Sequence, residues 1–223
     1  MSLVVLLLAF SPLVFALFLF LFGIKSERIL SPLLQVFNAL YSALTIILLA
    51  LYILSHFQDT PIDVLTVFQA GSYSFKLQFL IDHYSIACQT LIGLLSGLVF
   101  MFSRRYMHRE PGYRRFFISL LIFRSGISMV ALANNISVLY AGWEMVGLSS
   151  FLLIGFYQTR KGSGRHALRV FTIYRFCDVG LFIGAWLFHE LGGEFTFFDF
   201  NTVDKRNIPL LASQSAAFTL IGF

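Results

Sequence analysis

Apolar residues run through this chain in blocks of about 20, parted by short polar stretches. A helix rises about 1.5 Å per residue and a bilayer's hydrocarbon core is about 30 Å thick, so each block is long enough to cross a membrane. Six blocks qualify: Ser2 to Ile24, about Pro32 to Ser55, Leu80 to Phe102, Phe116 to Ala133, Ile136 to Tyr157, and about His166 to Leu191. A seventh starts near Ile208 and reaches Phe223. At about 24 Å it is shorter than the core, which predicts that the sequence continues or that a second chain completes the helix bundle. The first block is not read as a signal peptide, since no basic residue precedes it and no small-residue cleavage site follows. Between the second and third blocks, Asp59 to Gln78 carries Pro61, Asp63, Gly71 and Lys76, and Ser72 to Leu77 alternates polar with apolar. That pattern predicts a hairpin on the outer surface. The expected fold class is an all-α polytopic membrane protein with six full transmembrane helices and a partial seventh. It divides into two N-terminal helices (1–57), a hairpin loop (58–79) and a translocation segment (80–223).

Composition agrees. Of 223 residues, 58% are hydrophobic and 12% charged, with a mean hydropathy of +0.81. One core of this size could not hide so much apolar surface from water, which excludes a soluble enzyme, a disordered chain and a disulfide scaffold. Cys88 and Cys177 lie in apolar stretches and read as buried small hydrophobes. The net charge of +5 does not point to nucleic acid, because the basic residues sit in short loops. The loops after helices one, three and five hold eleven Lys and Arg, and the alternate loops hold three. The basic set belongs on the cytoplasmic side and the N-terminus outside, in a bacterial inner membrane.

Charge also appears where it is costly. Arg124, Glu144, Arg175 and Asp178 lie near mid-depth of predicted helices, where ionisable groups normally face protein or water and mark an ion path. Helices four and five are joined by Asn134-Asn135 alone, so they are antiparallel neighbours. Arg124 and Glu144 then differ in depth by about 1.5 Å. The same count across the next loop brings Glu144 level with Asp178, and Arg175 and Asp178 share a helix face at i and i+3. Two readings are open: buried ion pairs that fix packing, or a row of charges that passes protons. Burial favours a protonated carboxyl and a nearby cation favours an ionised one, so a cation that changes partner switches a carrier such as Glu144. Arg124 and Arg175 keep their charge and act as modulators. Gly142, Gly147, Gly155, Ser149 and Ser150 let helices approach closely around Glu144. Trp143 reads as a packing residue whose indole N–H needs a partner if buried. Asp82 and His83, near the outer end of helix three, are either a proton entry or exit pair or a solvated interfacial pair.

The run Asn135 to Tyr157, with Ala-Gly-Trp-Glu at 141–144, resembles the helix-five signature of antiporter-like proton-translocating subunits, among them complex I subunit L and the large Mrp antiporter subunit. Phe171 to Leu181 looks like the same family's helix-six Arg-x-Gly-Asp stretch. The resemblance runs from about Phe79 to Phe223. It implies the N-terminal part of a bundle of about fourteen helices, and it matches Glu144 to the helix-five glutamate and Arg175 and Asp178 to the helix-six pair. The family's helix-seven lysine has no match here. Phe176-Cys177-Asp178 and the basic block from Ser103 to Phe117 look more like the membrane subunit of two-component inorganic-carbon uptake complexes. That likeness implies a soluble zinc partner similar to a β-carbonic anhydrase, docked on Arg104, Arg105, Arg109, Arg114 and Arg115. The same arginines could instead only meet lipid head groups. The alternatives are a proton-pumping subunit among complex I-like partners and a non-conducting anchor. No nucleophile–base pair, phosphate loop or iron–sulfur cysteine cluster is present in the sequence, so catalytic chemistry and cofactors are not expected of this chain.

Overall fold

In lipid every backbone N–H and C=O must find its partner within the protein, so apolar runs of this length fold as helices. The computed structural model describes residues 1–23, 26–56, 59–70, 73–157 and 162–192, without the side chains of 65–70, 73–75 and 187–192. The elements in order are α1 (Ser2–Phe22), α2 (Glu27–Leu54), β1 (Thr60–Ala70), β2 (Tyr73–Ile81), α3 (His83–Tyr106), α4 (Tyr113–Leu132), α5 (Ile136–Ile154) and α6 (Ser163–Gly192). Among the described residues, α1 to α5 are long and apolar enough to cross a membrane. At 30 residues α6 reaches about 45 Å. The expected seventh span lies outside the described residues.

α4 is the central element. It packs against α1, α3 and α5, while α2 packs on α3 and α5 on α6. The α4–α5 seam is set by two glycines. A Cβ on Gly142 would stand 2.8 Å from the Gly126 carbonyl oxygen, and one on Gly126 would stand 2.9 Å from that of Gly142. Gly147 differs from expectation, with nothing within 4 Å of its Cβ position. Ser149 bonds back to the carbonyls of Met145 and Val146 rather than across helices.

The hairpin is present and longer than its sequence suggests. β1 and β2 pair antiparallel, with register shifts between Asp63 and Leu65 and between Thr66 and Phe68. Leu80 and Ile81 belong to β2, so α3 begins three residues later than the apolar run. Asp82 caps it by accepting from the Ser85 N–H at 2.7 Å. Polar ties join the hairpin to the α4–α5 turn. The Asn134 N–H donates to Gln78 O at 3.0 Å, and Asn135 Nδ2 donates to Lys76 O at 2.7 Å. Asn135 also caps α5 through the Val138 N–H.

α2 starts at Glu27, with Pro32 inside it, so the polar lead-in to its apolar block is helical too. α1 carries Pro12, and in the same turn the Ala9 carbonyl accepts the Ser125 hydroxyl of α4.

Buried apolar residues form two cores. One, around Leu8, Leu48, Phe79, Ile81 and Leu132, lies at the hairpin end. The other, around Leu19, Leu34, Phe100, Phe117 and Phe156, lies toward the opposite, basic end. Arg124 sits on α4 between them, flanked in sequence by Leu121 of one and Met129 of the other. Both cysteines are exposed, contrary to expectation. Lipid is as apolar as a core, so an apolar stretch does not say which of its residues face the protein.

The seam yields a prediction. Gly142→Ala forces Cβ into the Gly126 carbonyl and lowers stability by about 1–3 kcal/mol, whereas Gly147→Ala leaves it unchanged. Thermal unfolding of the two variants in detergent checks this.

Candidate functional site

α5 and α6 bring three charges together. Arg175 Nη1 lies 2.6 Å from Glu144 Oε2 and 3.5 Å from Asp178 Oδ2. One guanidinium nitrogen thus lies between two carboxylates, one on each helix. The Asp178 side chain is 10% exposed and Glu144 24%, while Arg175 is more open at 42%. Glu144 Oε1 is buried and makes no hydrogen bond. The face of Phe171 lies 5.0 Å from the Arg175 guanidinium carbon.

Trp143, expected to pack and to need a partner for its indole N–H, belongs to the site. Its indole N–H donates to Asp178 Oδ1 at 3.0 Å. The signal was available: an N–H beside a mid-membrane glutamate needs an acceptor, and Asp178 is at the matching depth.

Arg124 is level with Glu144 but does not join it. Gly126 and Gly142 meet at the seam, and two residues further along each antiparallel helix stand Arg124 and Glu144. The Arg124 side chain turns instead toward α2 and α3. Its Nη1 donates to Asn38 Oδ1 at 2.9 Å, and its guanidinium lies 3.6 Å from the Tyr41 ring centre and 5.2 Å from that of Phe100. The expected row of charges is therefore two groups in one layer, on two sides of α4. Depth follows from counting residues, but the direction of a side chain around its helix depends on what packs there.

Near the hairpin, Asp82 spends one carboxylate oxygen on its cap. His83 Nδ1 is 2.9 Å from the Tyr52 hydroxyl and 3.8 Å from Asp59 Oδ1, and Tyr52 donates to Asp59 at 3.3 Å. Sequence reasoning missed Tyr52, on α2, and Asp59, just before β1.

At the opposite end the basic side chains divide. Arg104 Nε donates to Ser31 Oγ at 3.0 Å, and Arg115 Nη2 to Phe156 O at 2.9 Å. Glu27 accepts from His108 at 2.7 Å and from the Arg109 N–H at 3.1 Å. Arg114 Nη1 reaches Gly23 at the end of α1. These contacts gather the α1–α2 and α3–α4 loops and the end of α5 on one side of the bundle. Arg105 and Arg109 stay exposed on that side.

Two family models match the chain. Residues 67–117 match the one described as NADH-ubiquinone oxidoreductase (complex I), chain 5 N-terminus. Residues 133–223 match the one described as NADH:quinone oxidoreductase/Mrp antiporter, TM. The chain belongs to the antiporter-like family of complex I subunit L and Mrp. The NAD(P)H-quinone oxidoreductase chain 5 of Synechocystis sp. is 33% identical over 144 residues, covering 65% of this chain and 21% of the relative. The NADH-quinone oxidoreductase subunit L of Pseudomonas aeruginosa is 33% identical over 148 residues, covering 65% and 22%. This antiporter-like chain thus spans roughly a fifth of the length of those relatives. The fold is shared with an archaeal membrane-bound sulfane sulfur reductase (TM-score 0.78, 15% identity, covering 98% of this chain and 43% of the other). It is also shared with the Mrp complex from Dietzia sp. (TM-score 0.74, 19% identity, covering 98% and 23%). The likeness starts earlier than Phe79, since the N-terminal model begins at 67, within the hairpin. The antiporter-like chain is an integral membrane protein, and its candidate site lies in the segment matched by the second model.

The Trp143–Asp178 bond can be tested alone. Trp143→Phe keeps the ring and removes the donor, costing about 1 kcal/mol, and the loss is smaller when Asp178 is already Leu. A double-mutant cycle by thermal unfolding checks the coupling.

Proposed function

We propose that this chain is the proton-conducting part of an antiporter-like subunit, with Glu144 as the proton carrier. The observation that carries this reading is the placement of Arg175 Nη1 between Glu144 and Asp178. When the arginine sits on Glu144, the ionised carboxylate is favoured. When it shifts to Asp178, Glu144 loses its ion-pair partner and can exchange that cation for a proton. Only a small side-chain movement separates the two states, because both carboxylates already lie around one nitrogen. Trp143 holds Asp178 in place as the alternative seat. Near the hairpin, Asp82 and His83, with Tyr52 and Asp59, supply titratable groups for exchange with the outer solution. Arg124 acts on the same layer through its fixed charge.

The orientation proposed is N-terminus outward with the basic end in the cytoplasm, supported by the gathering of the arginine-bearing loops on one side. Membrane lipid surrounds the apolar exterior. On the cytoplasmic side Arg104, Arg105, Arg109, Arg114 and Arg115 offer a dock. The finer proposal for its occupant is the soluble zinc carbonic-anhydrase-like subunit of an inorganic-carbon uptake complex, supported by the density of arginine between Ser103 and Phe117. The names of the relatives favour the alternative, other complex I-like subunits. Purification of the intact complex separates them: a zinc protein co-purifying supports the first, and flavin and iron–sulfur subunits support the second.

For the site itself, Glu144→Gln removes the titratable oxygen and keeps its shape. Proton-driven activity of the assembled complex is expected to fall by at least tenfold, while Trp143→Phe lowers it less. Full activity in Glu144→Gln would instead identify a membrane anchor.

A further inference from the structure

Arg124 is 1% exposed, and among the described residues no carboxylate forms an ion pair with it. Its Nη1 is used by Asn38, but Nε and Nη2 are buried without a hydrogen-bond acceptor. Those two nitrogens lie on the same side of the planar guanidinium. They form the fork that binds a carboxylate through two parallel hydrogen bonds. An unneutralised charge with two orphan donors is costly to bury. The rings of Tyr41 and Phe100 offset part of that cost. They cover faces of the cation and leave its edge unmet.

A second orphan lies in the same cluster, and it is an acceptor. Gln89 is 1% exposed and donates through Nε2 to the Tyr41 hydroxyl at 3.0 Å, while its Oε1 is buried without a donor. The Tyr41 hydroxyl in turn pairs with Ser128 Oγ at 2.7 Å. Asn38, which holds Nη1, also forms part of the wall of a cavity of about 330 Å³ between α2 and α3, beside Ser42, Thr45, Gly93 and Gly97. Neither Arg124 nor Gln89 lines that cavity; it meets the cluster through Asn38, on the Nη1 side of the guanidinium.

We propose that the Nε–Nη2 edge of Arg124 binds a small planar oxyanion of the carboxylate class. Hydrogencarbonate fits best, since its own hydroxyl supplies the donor that Gln89 Oε1 lacks. The anion neutralises the buried cation, and its planar O–C–O edge matches the fork. The site lies across α4 from Glu144 and does not rest on the proton reading, although it names a ligand for the inorganic-carbon one.

Isothermal titration of the intact protein, purified in detergent with its native subunits, tests this using formate, hydrogencarbonate and chloride. Saturable binding of both oxyanions, tighter than chloride, is expected. Arg124→Gln abolishes it. Arg124→Lys, which keeps the charge but not the fork, weakens it by about tenfold or more. Gln89→Leu removes the preference for hydrogencarbonate over formate. Glu144→Gln binds both anions as the unaltered protein does, which keeps failure of this site distinct from failure of the proton reading. Absence of oxyanion binding, equal binding by Arg124→Gln, or chloride binding as tightly as formate overturns the proposal.

Discussion

A charge in hydrocarbon must be met by protein, and the mid-membrane layer of this bundle is arranged around that requirement. Arg175 is met by Glu144 and Asp178, Asp178 by the indole of Trp143, and Arg124 by Asn38 and two aromatic faces. α4 and α5 approach closely at Gly126 and Gly142, so neither helix can rotate freely about the seam. That contact sets which flank of α5 faces α6 and which flank of α4 faces α2 and α3. The charges are consequences of this packing as much as of composition.

The polar layer separates two apolar cores, and each core is closed at its far end by a different device. At one end the β-hairpin covers the helices, with Phe79 fully buried and edge-on to Phe10. Its backbone is tied to the α4–α5 turn through Asn134 and Asn135. At the other end the loops are held by side chains, Glu27 with His108 and Arg115 with the end of α5. Between them the helices carry charge at mid-depth, with Arg124 and Asp178 buried and Arg175 still 42% exposed.

The membership of the complex I subunit L and Mrp family and the geometry around Glu144 support each other. Matching models cover the segments that contain the hairpin and the α5–α6 site, and the shared fold with the two respiratory and antiporter complexes extends over 98% of the chain. Arg124 lies in the stretch between the two models, at residues 118–132, and its surroundings are built by α2, α3 and α4 rather than by α5 and α6.

Much of this was legible in the residues alone. Apolar block length set the helices, alternation marked the hairpin, and residue counts from the Asn134-Asn135 turn placed Arg124, Glu144, Arg175 and Asp178 in one layer, because rise per residue is a local and nearly constant property of a helix. The partners of Trp143, Tyr52 and His83, the exposure of Cys88 and Cys177, and the turning of Arg124 away from Glu144 were not. They depend on rotation about each helix axis and on which neighbour fills the space beside it. In a bundle that keeps Ser85, Gln89, Arg124, Ser125 and Ser128 inside and turns leucines to the lipid, the polarity pattern says which side of a helix is buried but not which neighbour each group meets there, and only the packed structure decides that.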